Sequence, residues 1–461
     1  MTSPAILHAK HGRRGHAFVS KRILGARRLR IETLPQLLDD QVGVVQSLRD
    51  LPIDAGEPSF FRFVAKACNT LGFVNQENFG STGGASLDRD VAMAKAVGEA
   101  VERYCAAIYD MEELPLFSYA TAPVPCVAPG EFALYAPEQY GSADFMFAPF
   151  EAGTQIRWTP ARKLPTGDVC HVPAAMVYVP YTYYTGTNDG PIIQPISTGL
   201  ASHMSRDAAT VSAICEVIER DAFTIVWQAR MGPPQIRRDS LSDEPRAALE
   251  AMESIARSVT LFDITLDIQV PTVLAVQRSR DRACPAIAVA ASTGLDPQEA
   301  ALKALEELAH TYFYAAELLR MIPEEKWPRR PEDIVVQDHH LLYWADHRHA
   351  DDIEFLFRST ASVAIDRDRA IPSDSGGQLA ELVQRVGAAG YAVLTTEVTS
   401  ADVAELGFSV VRAIIPGLHP LQIGHRYRAL GGRRLWEVPQ RLGYQGIQRE
   451  TGDNPAPHPY P

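Results

Sequence analysis

Apolar and small residues recur at helical spacing in two separated stretches. Val91, Ala94, Val97, Gly98 and Val101 fall on one face of a helix near 90–105. Val211, Ile214, Cys215 and Ile218 do the same near 207–223. A third helical stretch covers 298–316. Apolar runs predict strands over Ile192–Ile196 and Ala286–Ala291, and Gly387–Gly390 predicts a helix-ending turn into a strand over Tyr391–Val398. Asp90 and Asp207 are the expected N-caps, because a carboxylate there accepts the unpaired amide protons of a first turn.

The two helices belong to an internal repeat. Ser81-Thr82-Gly83 leads through Arg89-Asp90 to Glu99-x-x-Glu102-Arg103. Ser197-Thr198-Gly199 leads through Arg206-Asp207 to Glu216-x-x-Glu219-Arg220. The spacing from Arg-Asp to Glu-x-x-Glu-Arg is the same in both. A shorter third copy begins at Ser292-Thr293-Gly294 and reaches Glu306-Glu307. A strand, a glycine turn that tightens the backbone and a helix, repeated, predict an α/β protein with pseudo-symmetric halves.

Glu99 and Glu102 are three apart and share a helix face, as do Glu216 and Glu219. Four carboxylates converging from two related helices repel one another unless cations neutralise them. Hard oxygen ligands suit Mg2+, which completes its shell with phosphate oxygens and water. Arg103 and Arg220 either bind phosphate or pair with the glutamates. The hydroxyls of Ser81, Thr82, Ser197 and Thr198 either donate to phosphate or serve turn chemistry. The chain has no Gly-x-x-x-x-Gly-Lys-Ser/Thr loop, so any nucleotide site is of another kind.

Charge and composition narrow the partners. The 461 residues carry a formal net charge of -12, which disfavours binding to duplex nucleic acid. Residues 1–30 run against that balance, with eight Lys or Arg and no acid; this basic arm is a solvated segment or a docking arm for an acidic partner. No apolar run reaches the length of a membrane span. The six cysteines are scattered, with no Cys-x-x-Cys, which fits a reducing cytoplasm better than a disulfide or zinc framework. Two organisational units are expected: a basic lead-in over 1–60 and a catalytic domain over 61–461.

The paired Glu-x-x-Glu-Arg helices, their spacing and the third helix Ala304-Leu305-Glu306-Glu307 resemble the YcaO family over about residues 60–461. The resemblance implies a YcaO-like fold binding ATP and Mg2+ in a cleft between related units. It makes Glu99, Glu102, Glu216 and Glu219 metal and phosphate ligands and turns Arg220, Thr198 and Glu307 toward the nucleotide, beside Ser197 and Arg103. The chain departs from many relatives at Thr198, His203 and His310, and its first loop lacks Gly-Lys-Gly. The tail Asn454-Pro455-Ala456-Pro457-His458-Pro459-Tyr460-Pro461 alternates prolines. On physical grounds such a stiff segment is a loose terminus or a partner ligand. In the azoline-forming members, however, a tail of this kind enters the active site, and its terminal carboxylate assists proton transfer; here that group is the Pro461 carboxylate. The Val410-Val411-Arg412 and Gly431-Gly432-Arg433-Arg434-Leu435 stretches also resemble that subgroup.

The activity this resemblance implies is cyclodehydration of a ribosomal precursor peptide, in which Cys, Ser or Thr closes a thiazoline or oxazoline on the preceding amide. Thioamide or amidine formation and a non-catalytic scaffold are the alternatives. Residues 1–60 are too short for a leader-binding module, so the expected partners are a separate ubiquitin-activating-like leader-binding protein and an FMN-dependent azoline dehydrogenase, in a homo-oligomer or hetero-complex. The histidines around 338–349 are expected on a solvated surface segment, and the dispersed tryptophans in packing.

Overall fold

The structure, a computed structural model, describes residues 34–460 apart from 54, 55, 73, 79, 185 and 449. The basic arm over 1–30 and Pro461 lie outside the described residues. Three sheets form the frame. A three-stranded antiparallel sheet runs Val45–Leu51, Phe61–Ala67, Ser81–Ser86. A five-stranded sheet is ordered Ile287–Thr293, Thr272–Ser279, Arg257–Asp263, Gln235–Ile236, Ser362–Val363. A six-stranded sheet runs Leu116–Ser118, Gln155–Leu164, Val393–Glu397, Ser409–Ile414, Leu200–His203, with Val169–Pro173 beside Gln155–Leu164.

Each sheet ends on a strand that feeds one long helix. Ser81–Ser86 feeds α1 (Arg89–Ala106), Leu200–His203 feeds α2 (Arg206–Gln228) and Ile287–Thr293 feeds α3 (Pro297–Met321). The apolar stripe of each helix is buried: Ala96, Val97, Ala100 and Val101 on α1, Ile214, Ile218 and Ile225 on α2, Leu305 and Leu308 on α3. The units also interlock. Besides its own strand, α1 packs on Leu200–His203, α2 on Ile287–Thr293 and α3 on Ser81–Ser86. The repeat is therefore a closed ring of three strand–helix units rather than two halves, with the faces of all three helices turned to a common centre.

Several local expectations change. The N-caps are Asp88, Ser205 and Asp296, not Asp90 and Asp207. Asp88 accepts from the amides of Asp90 and Val91 at 2.8 and 3.2 Å, and Asp296 from Gln298 and Glu299 at 2.8 and 3.4 Å. Asp90 and Asp207 stand in the first turn, where negative charge still complements the helix dipole. The segment Ile192–Ile196 is not a strand, because its backbone bonds go elsewhere: Ile193 accepts from the Tyr183 hydroxyl and Ile196 from Arg412. That unit's strand follows the Ser-Thr-Gly instead. In the first and third units Ser-Thr lies within the strand. Of the three glycines only Gly199 turns the backbone into the left-handed region, φ 85°, and a Cβ there would overlap the Ala413 carbonyl oxygen. The Gly390 turn (φ 90°) leads into Val393–Glu397 as expected. Trp158, Trp227 and Trp344 are fully buried.

Candidate active site

At the centre of the ring lies a cavity of about 710 Å³. Glu99, Glu102 and Arg103 reach it from α1, Glu216, Glu219 and Arg220 from α2, and Glu307 from α3. Ser197 and Thr198 line it from the turn before Leu200–His203. The structure thus brings together on one cavity Glu99, Glu102, Arg103, Ser197, Thr198, Glu216, Glu219, Arg220 and Glu307, with His310 and the tail residues His458 and Tyr460, and adds Lys95, which the motifs do not include. Lys95 stood one turn before Glu99 on the same helix face, a readable signal that the motif itself does not include.

The charges form two clusters and a bridge. On α1 the Arg103 guanidinium pairs with Glu99 at 3.1 Å and approaches Glu102 at 3.8 Å. On α2 Arg220 stands 3.7 Å from both Glu216 and Glu219, and its buried Nε has no hydrogen-bond partner. Lys95 spans from α1 to α3, meeting Glu306 at 3.0 Å and Glu307 at 2.8 Å. Gly83 belongs here too: its amide lies 3.4 Å from a Glu99 oxygen, and a Cβ would overlap the His310 ring.

Burial dominates the electrostatics. It pushes the Glu102 carboxyl well above its ordinary range, helped by repulsion from Glu216 and Glu99 against the pull of Arg103 and Arg412. It raises Glu216 against three neighbouring guanidinium groups. It lifts Glu219 to about 7, opposed by Arg220 and by a hydrogen bond from Tyr460. Glu307 goes the other way, because Lys95 and His310 outweigh its burial. Burial lowers Arg412 to about 10; its Nε and Nη1 lack partners.

These residues fit Mg2+ and a triphosphate. Among the described residues no three ligand side chains stand close enough to form a closed metal shell. The carboxylates instead make open pairs, the arrangement in which phosphate oxygens and water complete an Mg2+ shell. A cation removes the repulsion that raises Glu102, Glu216 and Glu219, and the unpartnered guanidinium atoms of Arg220 and Arg412 suit anionic oxygens.

The C-terminal segment is neither loose nor exposed. Asn454 and residues 456–460 are buried. Consecutive tail carbonyls are held by core side chains: Trp227 donates to Ala456 at 3.1 Å and Trp344 to Pro457 at 2.9 Å, while His340 contacts the His458 carbonyl at 2.6 Å. His340 and His458 also stack at 3.9 Å. This corrects the reading of the 338–349 histidines as surface groups: His340 is fully buried, because the helix Gln337–Ala345 is apolar on most sides and forms a wall of the tail's channel. His347 contacts the Asp281 and Cys284 carbonyls, and His349 stacks on Tyr343.

A family model described as YcaO cyclodehydratase, ATP- and Mg2+-binding, matches residues 83–419. An uncharacterized protein of Methanothermobacter thermautotrophicus is 28% identical over 371 residues, covering 75% of this chain and 85% of that protein. A protein from the tfuA 3' region of Rhizobium leguminosarum bv. trifolii is 26% identical over half of this chain and 54% of its own length. Among solved structures, a heterocyclase in complex with substrate and cofactor superposes with TM-score 0.74 at 21% identity over 93% of this chain, which spans only 57% of that longer chain. YcaO from Methanopyrus kandleri bound with AMPPCP and Mg2+ gives TM-score 0.60 at 22% identity over 83% of this chain and 88% of that one. A chain of the E. coli microcin synthetase McbBCD complex with pro-MccB17 bound gives 0.57 at 16% identity, covering 89% and 96%.

Proposed function

This chain belongs to the YcaO family, an ATP- and Mg2+-binding family, and on that premise we propose that it is an azoline-forming cyclodehydratase acting on a ribosomal precursor peptide. The observation that carries the reading is a single cavity lined by both Glu-x-x-Glu-Arg motifs and by the end of the proline-alternating tail.

In this reading Glu99, Glu102, Glu216 and Glu219 hold Mg2+, while Ser197, Thr198, Arg103, Arg220 and Glu307 face the nucleotide. A Cys, Ser or Thr of the peptide attacks the carbonyl carbon before it. The adduct's oxygen is a poor leaving group until ATP phosphorylates it, releasing ADP; it then departs as phosphate while the former amide nitrogen gives up its proton to that phosphate, leaving the C=N of the thiazoline or oxazoline, and Mg2+ held by the four glutamates would neutralise the charge on the phosphates. The chain's own contribution is placement. The half-buried carboxylates would fix the polyphosphate through Mg2+, the arginines meet its oxygens, and the walls exclude water. The Pro461 carboxylate takes the proton of the cyclising residue, and the ordered residues 454–460 that precede it supply the proximity a weak base needs.

A chain that this one resembles in fold belongs to a multi-protein complex, the microcin synthetase McbBCD with pro-MccB17 bound. That supports leader capture by a separate ubiquitin-activating-like protein, with an FMN-dependent dehydrogenase as a further partner. Among the described residues no helix is long and apolar enough to cross a membrane, in keeping with action in the cytoplasm. The test is removal of Pro461 alone. Peptide cyclisation should fall by about 10²-fold or more while nucleotide binding persists; full cyclisation by the shortened chain would refute the carboxylate's role.

A further inference from the structure

The penultimate residue does more than space the terminus. Tyr460 is 3% exposed, and its hydroxyl donates to Glu219 Oε1 at 2.6 Å. The Tyr460 hydroxyl oxygen in turn accepts from the Ala291 amide at 3.3 Å. Its ring lies under the Arg220 guanidinium at 4.2 Å and packs on Phe223 at 4.7 Å. Ala291 belongs to the strand of the third unit, while Glu219, Arg220 and Phe223 lie on α2. One side chain of the tail thus joins two units of the ring at a carboxylate of the site.

We propose that Tyr460 is a positioning residue for the Mg2+–nucleotide site, so that docking of the tail and binding of Mg2+–nucleotide reinforce each other. This rests on the reading of Glu219 as a metal ligand. Two properties of the contact carry it. A hydrogen bond to one carboxylate oxygen fixes the rotamer and leaves the other oxygen to face a cation, as the outer partners of metal ligands do. The ring over Arg220 holds the guanidinium plane by a cation–π contact, and so orients the buried Nε that has no other partner. The rest of the tail is held by hydrogen bonds to groups other than the site's carboxylates and arginines: Trp227, Trp344 and His340 on its carbonyls, and Asn454, whose amide donates to the Gln228 carbonyl at 2.9 Å. The Tyr460 hydroxyl is therefore the link between a docked tail and an ordered site. By linkage the effect runs both ways: a tail that favours nucleotide binding is itself held more firmly by nucleotide.

The test uses the full chain and no peptide. Affinity for a non-hydrolysable ATP analogue with Mg2+ is measured calorimetrically for the wild type and Tyr460→Phe. Loss of the charge-assisted hydrogen bond should weaken analogue binding by about tenfold in Tyr460→Phe, which keeps the ring and its packing. Hydrogen exchange of the wild type and Tyr460→Phe gives a second reading. The amides of Ala456, His458 and Tyr460 should gain protection when Mg2+ and analogue are added, and that gain should vanish in Tyr460→Phe. Equal affinity of wild type and Tyr460→Phe, or a tail whose exchange ignores the analogue, overturns the inference and leaves the cyclodehydratase reading standing. A wild-type chain that binds no Mg2+–analogue overturns the reading of the site itself.

Discussion

The helices α1 and α2 carry the same motif and use it differently. On α1 the arginine is held at 3.1 Å by Glu99, and the neighbouring Lys95 is committed to Glu306 and Glu307. On α2 the arginine stands back at 3.7 Å from both glutamates, lies on a tyrosine ring and keeps a buried donor without partner. Among the described residues the C-terminal tail reaches α2 through Tyr460, which contacts Glu219, Arg220 and Phe223. A sequence repeat thus fixes where carboxylates project, and the surroundings decide which copy is poised to meet a ligand.

That asymmetry can be broken in steps. The largest effect is expected from Glu219→Gln, which removes a carboxylate on the tail side. Peptide-dependent ADP release should fall by about 10²–10³-fold. The metal-free protein should melt no earlier than the wild type, since a buried group in mutual repulsion has been neutralised. Next, Arg220→Lys should cost about tenfold or more in nucleotide affinity, because it loses the planar donor stacked on Tyr460, and Arg103→Lys clearly less, because that arginine is already held by Glu99. Equal losses in a binding titration would erase the distinction between the two helices.

Acid should loosen the tail. Burial drives His340 down to about 4 and His458 well below its ordinary value. For a histidine depressed in the folded state, the unfolded chain binds more protons between the two values. Stability is therefore complete above about 6.5 and is lost as pH falls toward 4. Hydrogen exchange of residues 454–460 should quicken across that window, and His458→Gln should blunt the change. The smallest expected effect is Trp344→Phe, which deletes the donor to the Pro457 carbonyl at 2.9 Å and should lower stability by about 1 kcal/mol in a denaturant titration.

Much of the site was legible because its residues repeat at fixed helical spacing. Glu99, Glu102, Glu216 and Glu219 were placed by periodicity alone, and the structure sets all four on one cavity. The caps were misplaced by two residues because Asp88 and Asp90 are alike in type, and only backbone geometry tells a cap from a first-turn acid. The third copy is legible in the sequence, but the closure of the three units into a ring is not, because packing of each helix on the next unit's strand leaves no local sequence mark. His340 was misread for a similar reason: a polar run of charges and histidines signals solvent, whereas here a tail distant in sequence covers it.

The most direct measurement is ADP release by the purified chain with Mg2+, with and without its precursor peptide and leader-binding partner, while the peptide's mass is followed. Peptide-dependent ADP release matched by loss of one water per ring is the predicted result. Nucleotide binding without turnover and an unchanged peptide, or a product in which sulfur replaces oxygen, would contradict it.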